Sequence, residues 1–415
     1  MPTQLDELRR NGWSYYNFGK DEIINEVKKV QPHKIKNFDY FFSSNIRIDE
    51  IEFIDTSEGT SFCGAFDGSD SLTSIPEVDT RKGTNFAYMF RNCSELVEIP
   101  KIETGKGTNF NNMFYMCSNI AKIPKIDTEN GTDFNNMFYN CSSLSEVPDI
   151  DTSKGINFSH MFDGCSSLTE VPYINTSKGT NFQYMFCNCV GLITVPKIDT
   201  SNGLDFGNMF YKCRALTEVP EIDTSKGTDF SYMFADSSSL IKAPKINTCN
   251  GTMFNYMFNN CRALTEVPEM DTSKGTNFAA IFFGCGNLKK VTKLSLNSVA
   301  QDFGVSNMFV NCPSITELYL YDIRKSLTIA TSSYGKNLTV DSLIHIIKEL
   351  CTPPSSDTRR HVLTMGATNL EKISGVYCKI TDNTTEKIGM ELCESTAEGA
   401  ITMTEYAAEK KWSLA

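Results

Sequence analysis

The stretch LTEVPEIDTSKGTDFSYMF, residues 216–234, is one unit of a pattern that recurs along about two thirds of the chain. Its glycine belongs to a column of ten glycines, each 24 positions after the last: Gly59, Gly83, Gly107, Gly131, Gly155, Gly179, Gly203, Gly227, Gly251 and Gly275. A fixed period of about 20 to 50 residues is typical of solenoids and related arrays. In such arrays one repeat cannot bury its apolar face alone, so stacking of neighbours supplies the core.

Other columns keep register with the glycines. Two phenylalanines four residues apart recur, as at Phe230 and Phe234, with a methionine before the second. Residues at that spacing share one face of a helical turn, so F-x-x-M-F predicts a short helical or 3₁₀ turn. Because proline biases its neighbour toward extended geometry, L-x-x-[I/V]-P-x-[I/V] predicts a strand. The following D-T-S-K-G predicts a turn, with its glycine available for a positive φ.

Together these segments predict an α/β solenoid, a leucine-rich-repeat-like right-handed coil of about twelve turns. One parallel β-sheet face should lie opposite the short helical or 3₁₀ turns, and a helical cap should close the C-terminal end. The apolar columns should then form ladders about 4.8 Å apart. The expected divisions are an N-terminal cap or attachment segment at 1–37, the solenoid at 38–325 and a C-terminal α/β capping module at 326–415.

Both ends of the chain depart from the repeat. Residues 21–30 have apolar positions at helical spacing and predict a helix that covers the first coil. Residues 340–350 predict a helix with Thr339 as its N-cap. Strands are predicted at 361–365 and 376–380. Thr402 and Glu405 have capping-box spacing before a last helical stretch.

Composition excludes several classes of protein. The net charge of −11 and the pI of about 5.0 argue against nucleic-acid binding and against binding to an anionic membrane. No run of 18 or more apolar residues occurs, so membrane insertion is not expected. The first residues lack the apolar region of a secretory signal. The four histidines have no acid or nucleophile at diagnostic spacing, so the sequence predicts no enzyme activity and no cofactor.

The repeat unit C-x-x-L-x-x-[I/V]-P-x-[I/V]-D-T-S-x-G-T-N-F-x-x-M-F resembles the BspA-like surface-protein repeats, a branch of the leucine-rich-repeat class, over residues 38–312. The tail segments LTVDSLIHIIKEL, LTMGATNLEKI and YAAEKKWSLA are similar to a C-terminal module of tailed-bacteriophage and prophage proteins. Bacterial surface members usually carry an export signal, which is not seen here. A virion component made in the host cytoplasm would not need one.

This resemblance implies a non-enzymatic, virion-associated recognition protein, such as a phage tail or fibre component that binds the host surface through its repeats. The N-terminal segment would attach it to other virion proteins, and the ligand would be a host cell-surface protein or glycan. A purely structural capsid-decoration or tail protein is one alternative, and a bacterial cell-surface adhesin is another. Homo-oligomers are possible in each case.

Two polar columns admit a chemical and a structural interpretation. Eight of the 15 cysteines form one column, interrupted by Ser237, and we expect buried free thiols rather than zinc ligands or disulfides: Cys93, Cys117, Cys141, Cys165, Cys189, Cys213, Cys261 and Cys285. The acidic column favours Asx turns over calcium binding, because asparagine stands in it twice: Asp79, Glu103, Asp127, Asp151, Asn175, Asp199, Asp223, Asn247 and Asp271.

Two surfaces are candidates for binding. The strand face consists of variable, mostly charged positions beside the prolines: Glu98, Lys101, Lys122, Lys125, Glu146, Asp149, Glu170, Tyr173, Lys197, Glu218, Glu221, Lys242, Lys245, Glu266 and Glu269. These side chains either bind a partner or only keep the array soluble. The aromatic face, on the side of the F-x-x-M-F turns, consists of tyrosines suited to carbohydrate or protein contact, or to packing: Tyr88, Tyr115, Tyr139, Tyr184, Tyr211, Tyr232 and Tyr256.

Overall fold

A computed structural model describes residues 36–44, 55–299, 301–331, 333–353, 357, 359–382 and 389–415. Contacts between Cα atoms divide the chain into two compact units, Met1–Gly179 and Thr180–Ala415. The predicted N-terminal helix at 21–30 lies outside the described residues. The chain is rich in repeats in both units, with few helices among the described residues.

The F-x-x-M-F segments carry the hydrogen bonds between repeats. Parallel bridges 24 residues apart join the residue before the first phenylalanine of each repeat, from Asn37 to Asn157 in the first unit and from Asn181 to Asn277 in the second. Every second backbone N–H then donates to the next repeat, as Phe86 N does to Asn109 O at 3.0 Å. The backbone ladder therefore runs along these turns.

Each of these turns contains two residues with left-handed backbone, which rules out the predicted helical or 3₁₀ turn. Tyr88 has φ of 60° and Asn92 has φ of 61°, and the same two positions recur in the following repeats. Left-handed residues do not continue a right-handed helix. They turn alternate N–H groups outward toward the next repeat instead. In the described repeats, a 3₁₀ helix occurs at Asp302–Val305.

Stacked phenylalanine rings form the core of each unit. Both phenylalanine columns are fully or almost fully buried. Neighbouring rings are close to parallel, as for Phe206 and Phe230, whose centroids lie 5.8 Å apart at 3°. This separation exceeds the predicted 4.8 Å because near-parallel rings prefer an offset arrangement. The ring spacing is thus set by aromatic packing as well as by the backbone ladder.

The glycine column is explained by the close approach of these rings to the backbone and not by a positive φ. Gly227 lies outside the left-handed region, but a Cβ built on it would be 2.8 Å from both Phe206 Cδ2 and Phe230 Cζ. Contacts shorter than 3.0 Å are essentially never made by a real Cβ. The prediction of a positive-φ turn glycine is therefore wrong, because the constraint is the close approach of two aromatic rings to the backbone.

The proline segments are extended but form little sheet. In the described repeats before Lys290 they contain two isolated bridges, Lys242–Glu266 and Glu266–Lys290, and no strand. Proline has no N–H to donate, so the predicted β-sheet face is not continuous there. A column of buried threonines supplies other links between repeats. Thr80 Oγ1 donates to Glu103 O at 2.7 Å.

Regular strands begin at the end of the second unit. Strand β1 (Lys290–Ser295) pairs in parallel with β2 (Glu317–Tyr321). A parallel sheet follows in the order β3–β4–β8, formed by Leu327–Thr328, His361–Thr364 and Trp412–Leu414. An antiparallel sheet has the order β6–β5–β7, formed by Gly389–Cys393, Tyr377–Asp382 and Ile401–Thr402.

Three helices accompany these strands: α1 (Val340–Lys348), α2 (Ala367–Ile373) and α3 (Met403–Glu409). The N-cap at Thr339 and the capping box of Thr402 with Glu405 are both confirmed. The predicted strands at 361–365 and 376–380 are confirmed as β4 and β5. In the part of the chain that the structure describes, no helix has the length and apolarity needed to cross a bilayer.

A buried lysine at the end of α3 is hydrogen-bonded to the C-terminal end of α1. Lys410 is fully buried, and its Nζ donates to Lys348 O at 2.7 Å and to Leu350 O at 2.9 Å. Cations at the C-terminal end of a helix satisfy carbonyls that lack an intrahelical partner. Trp412 Nε1 donates to Cys351 O at 2.9 Å in the same region. These bonds fix α3 and β8 against the end of α1.

Candidate functional site

The predicted strand face is exposed, whereas the predicted aromatic face is half-buried. Every strand-face residue named above is exposed, and every tyrosine of the aromatic face is in the intermediate range. Solvent therefore reaches the first surface more freely. The tyrosines pack against their neighbours and are also partly exposed to solvent, so they fit both interpretations, packing and contact with a partner, only in part.

In the second unit, the strand face borders an open groove of about 1000 Å³. One charged side chain from each of five successive repeats lines it: Lys197, Glu221, Lys245, Glu269 and Lys293. We call this the charged groove. Sequence reasoning identified four of these residues but not Lys293, which continues the same column in the repeat after Pro268. Parallel register brings them together because equal positions of stacked repeats become neighbours.

The other side of the charged groove is built from the D-T-S turns. Ile222, Ile246 and Met270 contribute buried apolar positions, and Asp223 and Asp271 contribute carboxylates. Lys293 Nζ lies 3.1 Å from Glu269 Oε1, so these two charges pair within the groove. The groove thus combines both signs of charge with polar turn groups.

In the first unit, opposite charges on neighbouring repeats pair with one another. Lys122 Nζ lies 3.3 Å from Glu146 Oε2, and Lys125 Nζ lies 3.0 Å from Asp149 Oδ2. All four side chains are at least 69% exposed, so each pair stabilises the fold by only about 0–1 kcal/mol. The sequence showed alternating charges along the strand face. The structure adds that some of these charges form ion pairs with one another within the chain.

The acidic column forms Asx turns, as predicted. Asp151 Oδ1 accepts from Ser153 N at 2.8 Å, and Asn175 Oδ1 accepts from Ser177 N at 3.1 Å. Backbone hydrogen bonds lower the pKa of Asp151, Asp199 and Asp223 below the ordinary aspartate value. Among the described residues, no group of three metal-ligating side chains could hold an ion.

The cysteine column is buried and free, as predicted, and it has a role that the sequence did not reveal. Cys141 Sγ donates to Phe114 O of the preceding repeat at 3.1 Å. Ser237 takes the same place, with Oγ donating to Phe210 O at 2.7 Å. Burial raises the pKa of Cys93 to about 12, which suppresses the reactive thiolate. The column is therefore a structural row of donors.

The tyrosines fall into two adjacent columns and, within each unit, form stacked pairs. Tyr115 and Tyr139 stack with centroids 4.6 Å apart, and Tyr232 and Tyr256 do the same. In the first unit they border an open groove of about 510 Å³, which we call the tyrosine groove. The residues that line it are Tyr88, Arg91, Asn92, Asn112, Tyr115, Asn136, Tyr139 and His160. Sequence reasoning did not identify Asn112 and Asn136, although asparagine is a signal for left-handed backbone.

These features define a protein built from 24-residue repeats, with an open groove along the repeats of each unit. A family model described as "Mycoplasma protein of unknown function, DUF285" matches residues 14–122, 84–194, 108–219 and 193–295. The matches together span more than half of the chain, so the chain belongs to this family. It is the BspA-like repeat family, and that part of the sequence prediction is confirmed.

No curated protein sequence matches the chain significantly. Among solved structures, the chain is similar to the plant peptide hormone receptor RGFR1 in complex with RGF2, at 12% sequence identity and a TM-score of 0.21. The match covers 80% of this chain and 64% of the receptor chain, so the chain spans less than two thirds of the receptor's length.

Proposed function

We propose that this chain is a non-enzymatic recognition protein that binds an extended partner through the charged groove of its second unit. The repeats would form a leucine-rich-repeat-like, right-handed solenoid of about twelve coils, closed by the C-terminal module. Arrays of this kind present extended surfaces in which each repeat adds one set of contacts.

The charged groove is the observation that carries the proposal. Five successive repeats each place one charged side chain along it, and Lys197, Glu221 and Lys245 are all exposed. Alternating signs would select a partner with complementary charges and would set its register along the groove. The partner would be a protein or an ionic glycan.

The biological setting is a further part of the proposal. The resemblance of the segments within residues 338–415 to a module of phage proteins supports a virion component, with the receptor on the host cell surface and the attachment in the N-terminal segment. The description of the family names a bacterium, Mycoplasma, which favours a bacterial protein as the second candidate, and the role we propose for it is that of a cell-surface adhesin. Immunogold electron microscopy separates these candidates, because label would lie on virion tails in the first case and on cell envelopes in the second.

A purely structural virion role is favoured by a different observation. The pairs Lys122–Glu146 and Lys125–Asp149 satisfy strand-face charges of the first unit internally. Such a protein would depend on its repeats for particle stability and not for binding cells. Gold label on the capsid, with no binding of the purified chain to cells, would support this role.

Charge reversal tests the charged groove. Lys197→Glu with Lys245→Glu should remove most binding of the purified chain to host cells in flow cytometry. The matched control is Lys106→Glu with Lys178→Glu, which changes the net charge equally at exposed positions outside the groove. If the groove variant binds as well as the control, the proposed site is wrong.

A further inference from the structure

We propose that the tyrosine groove of the first unit is a second recognition site and that its ligand is an uncharged oligosaccharide. This inference does not depend on the charged groove, which lies in the other unit. It rests on three properties of the tyrosine groove. Its Arg91 and His160 side chains are paired with carboxylates, its tyrosine rings stack on each other, and the backbone N–H groups of its turns already donate hydrogen bonds within the repeats.

The cation that lines this groove, Arg91, is already paired with a carboxylate. Arg91 Nε donates to Asp67 Oδ1 at 2.8 Å, and the guanidinium lies 5.0 Å from the centroid of the Tyr88 ring. His160 Nδ1 lies 3.0 Å from Asp163 Oδ2. Arg91 and His160 thus each have a carboxylate partner from the same unit. A phosphate or an acidic sugar would have to compete with these carboxylates, which favours an uncharged ligand.

The tyrosines present edges and hydroxyl groups to a ligand. Tyr115 and Tyr139 are parallel to within 7° at 4.6 Å, so their facing ring surfaces cover each other. The hydroxyl of a half-buried tyrosine commonly finds a hydrogen-bond partner at the wet end of its ring. Asn112 and Asn136 add one carboxamide per repeat beside them. Hydroxyl and carboxamide groups both donate and accept, which matches the hydroxyls of a sugar.

The backbone of these turns fixes the asparagines in place. Asn112 and Asn136 have φ of 55° and 54°, and Asn112 N donates to Asn135 O of the next repeat at 2.9 Å. The Asn136 side chain is also held, because its Nδ2 donates to Asn135 Oδ1 at 2.6 Å, so this carboxamide is ordered before a ligand binds and the entropic cost of binding is lower.

The same hydrogen bonds disfavour a peptide as the ligand. Extended peptides gain affinity by pairing with free backbone groups of a strand edge. Here Asn112 N, Tyr115 N and Met116 N all donate within the repeat array, to Asn135 O, Asn112 O and Tyr139 O respectively. An oligosaccharide needs only side-chain partners, so it is the ligand that this groove can hold.

The test uses the full chain and five soluble probes: cellopentaose, maltopentaose and chitopentaose as uncharged oligosaccharides, a heparin-derived pentasaccharide as an acidic one, and an uncharged decapeptide. Saturation-transfer NMR and isothermal titration measure binding to the chain and to three double variants. Tyr115→Ala with Tyr139→Ala removes the pair. Tyr115→Phe with Tyr139→Phe keeps the stacked rings and removes only the hydroxyls. Tyr232→Ala with Tyr256→Ala removes the equally stacked pair of the second unit as a control.

We expect at least one uncharged oligosaccharide to bind. Its affinity should fall by about tenfold or more in both Tyr115/Tyr139 variants, since two lost hydrogen bonds of ordinary strength reach that factor. The control should bind like the unmodified chain. The proposal is overturned if none of the three uncharged oligosaccharides binds, or if the acidic pentasaccharide or the peptide binds more tightly than they do. It is also overturned if the control variant loses as much affinity as the Tyr115/Tyr139 variants. Unchanged affinity in the phenylalanine variant would overturn recognition by the hydroxyls.

Discussion

Replacing Gly227 by alanine should destabilise the second unit through a steric contact between two stacked rings. The new Cβ would lie 2.8 Å from Phe206 Cδ2, Phe206 Cε2 and Phe230 Cζ. Neither ring can move away easily, because both are fully buried and Phe230 stacks on Phe254 at 5.6 Å on its other side. Overpacking of this kind costs about 1–3 kcal/mol.

One opposing effect reduces this cost. Alanine restricts the unfolded chain more than glycine does, which stabilises the folded state by about 0.4–1 kcal/mol where φ is compatible. The middle values of the two ranges, about 2 and about 0.7 kcal/mol, leave a net loss of about 1–2 kcal/mol. For a unit of this size, about 2–4 °C of melting temperature corresponds to each kcal/mol, so we expect a decrease of about 2–8 °C.

Calorimetry of the purified variants measures this decrease. The matched control is Gly286→Ala in the same unit, because a Cβ there would meet nothing within 4 Å. That variant should melt at or slightly above the temperature of the unmodified chain. The reasoning is refuted if Gly227→Ala melts within a degree of the unmodified chain, or if Gly286→Ala loses as much as Gly227→Ala.

Four other outcomes follow from the same packing. Iodoacetamide should modify the native chain only at its partly exposed thiols, which among the described residues are Cys63, Cys249 and Cys393. Modification of Cys141 before denaturation would contradict the burial of the cysteine column. Ser237→Ala should cost about 1 kcal/mol in urea unfolding, whereas Ser237→Cys should cost much less, because a thiol can donate to the same carbonyl. Thr402→Ala should remove the capping box and cost about 1 kcal/mol, and equal stability would argue against that cap. The melting temperature should fall as pH drops below about 4, because the Asx-turn carboxylates of Asp151, Asp199 and Asp223 have a lowered pKa in the folded state and an ordinary one near 3.9 when unfolded. The stabilisation by these carboxylates is complete when the pH is above their pKa in the unfolded chain, and it is lost as the pH falls through their lower pKa in the folded chain. A constant melting temperature between pH 6 and pH 3 would contradict this prediction.

The sequence by itself determined the repeat, its period and its family. Spacing alone identified the apolar columns, the buried thiols and the Asx turns, because stacked repeats place equal positions in equal surroundings. It also located α1 with its N-cap, strands β4 and β5 and the capping box at Thr402, since local hydrogen bonding fixes these features. It identified four of the five aligned charges of the charged groove as variable surface positions.

Only the tertiary structure decided how the repeats are joined. The left-handed residues at Tyr88 and Asn92 move the backbone ladder to the F-x-x-M-F turns, and the rings of Phe206 and Phe230 account for Gly227. The pairing of Lys122 with Glu146 and the two grooves also arise only between repeats. A period states which residues recur, but the direction of an N–H group depends on single φ angles, and the distance between rings is fixed only when the repeats are packed together.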